Sequence, residues 1–302
     1  MIRSTPARRL RELLARPGIV RLMGAHDALG ALVAERAGFD GVWSSGFELA
    51  AAHCVPDAGV LGMAEQLAAA QSMAYAVRIP IVADCDTGYG NAENAAHMAR
   101  RFEAAAVAAV CIEDKRFPKL NSFAPGAHEL VPVDEFVEKI RRARAARAGE
   151  DFAVIARTEA LVAGQSPGEA LERVRAYADA GADAVLVHSS ETLPRRLLEV
   201  LRRWDGRAPL VVVPTTYHTI TAAELEDLGV KVVIYANQGL RSALRAMQDT
   251  CDEILRTGSS TSVEGRIASV GTVLEMSGTM AAAHAVQASD AARRPLAAAG
   301  AA

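Results

Sequence analysis

Asp84-Cys85-Asp86-Thr87-Gly88-Tyr89-Gly90 directly follows the apolar run from Ile79 to Ala83, and Glu113-Asp114 closes the next apolar run. Two segments that read as neighbouring strands therefore end in carboxylates. Hard oxygen donors converging at strand ends suit Mg²⁺, so Asp84, Asp86 and Glu113 are the metal candidates. Asp-x-Asp alone is also an ordinary turn or helix-start pattern; Glu113 at the next strand end is what makes it read as a ligand set. Other strand ends bring Ser44, Ser45, Arg157, Glu159, His188 and Asn237 to the same rim. A divalent cation there would polarise a carbonyl or stabilise an enolate oxygen, while Arg157 and His188 neutralise phosphonate or carboxylate oxygens. A small, doubly anionic keto acid fits this set. Each residue also has an ordinary reading: Arg157 as a structural ion pair, His188 as a core-boundary histidine, Asp57 as a turn residue after Pro56, Trp43 as barrel packing. His97 and His218 have no partner at metal-ligand spacing and take no role.

The positioning elements follow from the apolar pattern. Eight strand-like runs recur at about Ile19 to Gly24, Gly41 to Ser45, Ile79 to Asp86, Val107 to Glu113, Phe152 to Glu159, Ala182 to Ser189, Pro209 to Pro214 and Val230 to Asn237, with helical patterns between them. Such alternation closes most naturally into an α/β fold of the (β/α)₈ TIM-barrel type. A doubly wound open sheet would show a glycine-rich phosphate fingerprint after its first strand, and Met23-Gly24-Ala25-His26 is not one. Helices are predicted over Asn91 to Ala104, Asp134 to Ala148, Pro167 to Ala180 and Leu240 to Leu255, and Gly38 and Gly181 read as their left-handed stops or those of their neighbours. The connections from Gly46 to Gly62 and from Asp114 to Pro132 are long for this fold and follow strand C-termini, where barrel active sites are built. Both read as active-site loops. One barrel domain is expected over residues 1–287, with 288–302 as a disordered tail rich in alanine.

Composition narrows the partners. The 302 residues are 51% hydrophobic, enough for a large single core, and the net charge of -3 offers no basic field for nucleic acid or an acidic membrane surface. The partner expected is a small molecule. The four cysteines lack CxxC spacing, and Cys85 and Cys111 sit in apolar runs as buried, reduced thiols would. The arginines of the first sixteen residues interrupt any apolar stretch, so neither a signal peptide nor a membrane anchor is read, and a cytoplasmic protein is expected.

Several segments in this order, Gly41-Val42-Trp43-Ser44-Ser45-Gly46, Val55-Pro56-Asp57, Asp84 through Asn91, Glu113-Asp114-Lys115-Arg116-Phe117-Pro118-Lys119, Ile155 through Ala160 and Gly181-Ala182-Asp183-Ala184, resemble the phosphoenolpyruvate mutase/isocitrate lyase superfamily. The lyases of that superfamily carry a catalytic cysteine in a Lys-Lys-Cys-Gly-His-like loop. Here Phe117 through Phe123 contains none, which disfavours a 2-methylisocitrate- or oxaloacetate-type C–C lyase. The Glu-Asp-Lys-x-Phe-Pro-Lys form resembles the phosphonopyruvate branch, with two activities: a mutase interconverting phosphoenolpyruvate and 3-phosphonopyruvate in phosphonate biosynthesis, and a hydrolase giving pyruvate and phosphate. By that resemblance the lid position of Asn121 is asparagine in mutases and threonine in the hydrolase, which favours the mutase. Ser45 through Leu49 and Val55 through Ala58 are at least as similar to the hydrolase, and Leu120 replaces the threonine of a mutase lid.

The resemblance implies residue roles. Asp84, Asp86 and Glu113 hold Mg²⁺, partly through water. Ser45 and the backbone of Gly46 hold the pyruvyl end, Trp43 packs beside it, and Ser122 adds a substrate contact. Arg157 and His188 bind phosphonate oxygens, Lys119 and Asn121 close over the substrate, and Asp57 lies near phosphorus as phosphoryl acceptor or as an orienting group. A homo-oligomer, dimer or tetramer, with the terminal barrel helix swapped between subunits is implied as well. A catalytically silent barrel is the non-enzymatic alternative, because fold does not fix function.

Overall fold

A computed structural model of the chain describes residues 4–293. Its strands are β1 (Val20–Ala25), β2 (Gly41–Ser44), β3 (Ile81–Asp84), β4 (Ala109–Glu113), β5 (Ala153–Thr158), β6 (Ala184–Val187), β7 (Leu210–Val212) and β8 (Val230–Tyr235). All pair in parallel, each with the next, and β8 closes on β1. This is the expected (β/α)₈ barrel. β2 through β7 are buried at every position, because helices cover one face and the barrel interior the other; that is why they read as continuous apolar runs.

The helices are α1 (Pro6–Ala15), α2 (Ala28–Arg36), α3 (Gly46–Ala52), α4 (Met63–Ala76), α5 (Ala92–Ala104), α6 (Val133–Ala146) and α7 (Pro167–Asp179). They continue as α8 (Arg195–Arg203), α9 (Ala222–Asp227), α10 (Gln238–Thr257), α11 (Thr261–Glu264), α12 (Val270–Met276) and α13 (Thr279–Arg293). Local chemistry sets several boundaries. Asn91 and Ser166 each open a helix with a reciprocal capping box, satisfying first-turn N–H groups that have no intrahelical acceptor. Gly38 and Gly181 take positive φ just past α2 and α7, as the sequence predicts.

Two apolar layers hold the barrel. Between sheet and helices pack Phe102, Phe136, Ile140 and Tyr177, with Phe136 edge-on to Tyr177. Inside the barrel, Leu22, Val82, Cys111, Ile155, Leu186 and Val211 form a second cluster that includes Leu10 and Leu13 of α1. The amphipathic N-terminal segment is thus part of the barrel's interior packing. Arg11 of the same helix pairs with Asp183 at 2.8 Å, tying α1 to the start of β6.

One sequence expectation differs from the structure. The connection from Gly46 to Gly62 is not a continuous loop: Ser45 caps α3 by accepting from the Glu48 N–H, and Leu49 and Ala50 are buried beneath it. The chain groups into two compact units that divide after Arg241, the first of which contains the whole barrel. The residues assigned to the tail begin inside α13, which runs to Arg293; the remainder, 294–302, lies outside the described residues.

Leu10 is 2% exposed within the inner cluster. Leu10→Ala is expected to destabilise the barrel by about 2–5 kcal/mol, the range for a buried leucine whose cavity only partly collapses. Urea unfolding would show a lower midpoint; an unchanged midpoint would mean α1 contributes nothing to the barrel.

Candidate active site

The C-terminal ends of β2, β3, β5, β6 and β8 surround a cavity. Trp43, Ser45, Asp57, Asp84, Lys119, Asn121, Ser122, Arg157, His188 and Asn237 all line it, so ten of the sequence-selected residues share one space. Gly46, Asp86 and Glu113 do not line it. Gly46 begins α3, and a Cβ added there would stand 3.4 Å from Asp86 Oδ1 and 3.5 Å from Asp84 Oδ2, so the backbone passes directly beside both carboxylates. Asp86 is turned towards a neighbouring cavity bounded by Gly59, Met63, Tyr89 and Phe117. Glu113, 2% exposed, lies under the floor.

The parallel register explains the arrangement. Glu113 on β4 is level with Arg157 on β5, and their groups approach to 3.3 Å. Arg157 Nε also donates to Glu159 Oε1. His188, one residue beyond β6, places Nδ1 2.9 Å from Glu159 Oε1 and 3.0 Å from Arg157 Nη2. In one tautomer Nδ1 donates to the carboxylate and in the other it accepts from the guanidinium, so these two neighbours set which ring nitrogen carries the proton. Burial lowers the His188 pKa against the opposing pull of Glu159, which keeps the ring neutral near pH 7. Burial alone would raise the Glu159 pKa, but Arg157, His188 and Lys115 together hold it well below the usual carboxylate range.

Two loops meet over the cavity. The segment from Asp114 to Pro132 is pinned at its base by an antiparallel bridge between Lys115 and Leu130 and by the Val131 N–H donating to Asp114 O at 2.9 Å. Lys115 Nζ then donates to Leu120 O at 2.8 Å and to Ser122 Oγ at 2.7 Å, and Ser122 Oγ donates to Glu159 Oε2 at 2.7 Å. These bonds draw the lid down onto the floor. At its tip, Lys119 Nζ sits 2.9 Å from Asp57 Oδ1 and 2.7 Å from Asp86 Oδ1, and Asn121 Nδ2 donates to Asp57 Oδ2 at 2.6 Å. Burial would raise the Asp57 pKa, but the Lys119 charge and the two hydrogen bonds outweigh it and hold the carboxyl below its usual value. Asp57 is ionised, with both oxygens engaged.

The carboxylates repel one another. Burial, aided by Asp86 and Glu113 and opposed by Lys119 and Arg157, pushes Asp84 up to about 7. Asp86 Oδ1 and Glu113 Oε1 are buried without a hydrogen-bond donor; Lys119 approaches the former as an ion pair whose orientation is not that of a hydrogen bond. Such orphaned oxygens beside a carboxyl strained by like charge suit a cation. Among the described residues, however, no three His, Cys, Asp or Glu side chains are grouped to ligate one ion directly. The convergence expected from the sequence is therefore looser than a closed cage, because Lys119 draws Asp86 and Arg157 draws Glu113. The donor set fits a hydrated cation held by one or two carboxylates, which is how Mg²⁺ is ordinarily bound.

The sequence profile of the phosphoenolpyruvate phosphomutase family matches residues 10–255. The chain belongs to this family. Among relatives of the phosphomutase family, the phosphonopyruvate hydrolase of Variovorax sp. (strain Pal2) is 44% identical over 271 residues, covering 89% of this chain and 93% of the hydrolase. The crystal structure of a phosphoenolpyruvate phosphomutase from Streptomyces platensis subsp. rosaceus superposes with a TM-score of 0.92 at 54% identity, covering 93% of this chain and 98% of that one. A phosphonopyruvate hydrolase solved with oxalate and Mg++ gives 0.89 at 42% identity, covering 94% and 98%. This is a family of enzymes, and both activities of the phosphonopyruvate branch stand among the similar proteins.

Some members of this site escape sequence reading. Lys115 stands in the Glu-Asp-Lys-x-Phe-Pro-Lys motif, but nothing in the sequence shows that it carries the floor-to-lid bonds. Gln66, on the buried face of α4, donates to Asp86 Oδ2 at 3.0 Å and accepts from Tyr89 OH at 2.8 Å. Nothing near Gln66 in sequence marks it, since its role depends on where α4 docks. Phe47, Phe123 and Thr215 also reach the cavity.

Glu159→Gln removes the one carboxylate shared by Arg157, His188 and Lys115, and is expected to cost about 3–5 kcal/mol at neutral pH, as for breaking a buried ion pair. The folded pKa of Glu159 is depressed, so its stabilisation is full above an unfolded value of about 4.3 and is lost as pH falls below that towards the folded value. Thermal unfolding of wild type and variant should differ widely at pH 7 and draw together below about pH 4. A gap independent of pH would show that Glu159 is not ionised in the folded protein.

Proposed function

We propose that this enzyme is a phosphoenolpyruvate mutase, interconverting phosphoenolpyruvate and 3-phosphonopyruvate with Mg²⁺ as cofactor. The observation that carries the proposal is the double engagement of Asp57 by Lys119 and Asn121. A carboxylate tied at both oxygens is not free to activate water, and a lid tied to it shields the phosphoryl group from solvent. This supports Asp57 as an orienting group rather than a covalent acceptor.

Arg157 and His188 bind the phosphonate oxygens, and the guanidinium offers a charged, directional pair of donors. Ser45, the N–H groups at the start of α3 and Ser122 orient the carboxylate and carbonyl, with Trp43 as a flat wall. The P–C bond breaks, the electron pair enters the pyruvate enolate, and the enolate oxygen captures phosphorus. Asp84, Asp86 and Glu113 hold Mg²⁺, partly through water; when bound, the ion supplies positive charge that stabilises the developing enolate. Orphaned buried oxygens on Asp86 and Glu113 support that assignment.

The hydrolase is the second reading, favoured by the 44% identical relative, itself a phosphonopyruvate hydrolase. Homo-oligomerisation is also proposed, supported by apolar side chains left exposed on the C-terminal helices, Leu255 at 87% and Val270 at 75%. A monomer in light scattering would contradict it.

Coupled assays separate the two readings. With phosphonopyruvate and Mg²⁺, lactate dehydrogenase alone oxidises NADH only if pyruvate forms; a signal that also requires pyruvate kinase and ADP reports phosphoenolpyruvate. The expected signal requires pyruvate kinase and disappears with EDTA. Asp57→Ala should lower turnover by at least about 100-fold, in the range for a positioned catalytic group, and near-normal turnover would refute the role given to Asp57. Unchanged Mg²⁺ affinity in Asp84→Ala would refute the metal assignment.

A further inference from the structure

Phe123 is an aromatic side chain at the cavity mouth, 41% exposed, so it contributes little to the core. Its ring stands edge-on to the His188 imidazole, with centroids 5.7 Å apart and planes at 80°. The chain on either side of it is held firmly. The Phe123 N–H donates to Asn121 Oδ1 at 2.9 Å, and the Ala124 N–H donates to Asn121 O at 2.9 Å. Ser122, its other neighbour, is bound to both Lys115 and Glu159. The same Asn121 amide that donates to Asp57 therefore also fixes the backbone of Phe123. Such fastening costs conformational freedom for a ring that gains little burial. Its effect is to roof the histidine assigned to the phosphonate.

We infer that Phe123 is a specificity-determining residue, an apolar shutter over His188 that decides whether the phosphoryl group is captured by the enolate oxygen or by water. The inference rests on the mutase reading above. Phosphoryl transfer passes through a loose, metaphosphate-like transition state with little bonding to either partner, so the outcome follows the nearest available oxygen. With the shutter in place, the P–C bond breaks and the enolate oxygen forms the new P–O bond. If water enters, its oxygen forms the P–O bond instead. C3 then keeps the electron pair from the P–C bond and takes a proton released by the water, giving pyruvate and phosphate. Truncating the ring to a methyl group opens the roof to water, each molecule of which needs about 30 Å³.

The test is the ratio of phosphate to phosphoenolpyruvate formed from phosphonopyruvate and Mg²⁺, read by ³¹P NMR for wild type, Phe123→Ala and Phe123→Leu. The ratio is independent of overall rate, so a merely structural loss of activity would not move it. Phe123→Ala is expected to raise the ratio about tenfold, equivalent to about 1.4 kcal/mol between the two barriers. Phe123→Leu, which keeps an apolar cover, is expected to return it towards wild type. A wild type that forms phosphoenolpyruvate, with an unchanged ratio in Phe123→Ala, overturns the shutter alone. A wild type that forms only phosphate overturns both the shutter and the mutase reading.

Discussion

Uncompensated negative charge in a dry place is the constraint around which this active site is built. The barrel delivers Asp84, Asp86, Glu113 and Glu159 to one rim, and the Asp57 loop adds a fifth carboxylate. Against them stand Lys115, Lys119 and Arg157, each with several acidic neighbours. With all five carboxylates ionised the imbalance is two negative charges, which a divalent cation would cancel. Asp84 registers the strain by holding its proton to about 7. Taking so many charges out of water is tolerable only when partners are close and well aimed. The protein's rigidity here, with strand ends fixed in register and a lid bonded at base and tip, provides that aim.

The same constraint couples the two loops. Lys119 needs acidic partners and finds Asp57 and Asp86; Asp57 needs donors and finds Lys119 and Asn121. Neither loop completes the roof alone. Closure therefore depends on charge pairing between segments more than 60 positions apart, while Ser122 and Lys115 anchor the lid to the Glu159 network beneath it. Beneath that network Asp114 is fully enclosed, accepting from Tyr177 OH at 2.6 Å, Thr158 Oγ1 at 2.8 Å and the Glu159 N–H at 2.9 Å. Asp114 thereby fixes the strand end that carries Arg157 and Glu159, so the order of the site continues into the layer beneath it.

Much of this was legible in the sequence because buried parallel strands have no polar face to hide. Ile79 to Ala83 and Val107 to Ile112 declare themselves as strands, and the first polar residues after them mark the rim. Asp84, Arg157 and His188 were visible on that logic. What was not visible depends on docking. α3 lies in a stretch that reads as loop, because seven residues are too few to show a helical period and the Ser45 cap is marked only by the fold around it. Gln66 reaches Asp86 only because α4 turns that face inward. The place of α1 is not encoded locally either, since its burial of Leu10 and Leu13 depends on a barrel mouth of matching size. The looser carboxylate cluster reflects cation partners in Lys119 and Arg157, whose reach no local pattern encodes.

The most direct test of the account is to follow phosphonopyruvate by ³¹P NMR with the purified protein and Mg²⁺. The charge-locked lid is expected to yield a phosphoenolpyruvate resonance while inorganic phosphate stays minor. A phosphate resonance growing with pyruvate, and no phosphoenolpyruvate, would contradict the claim that the closed Asp57–Lys119–Asn121 roof keeps water from the phosphoryl group.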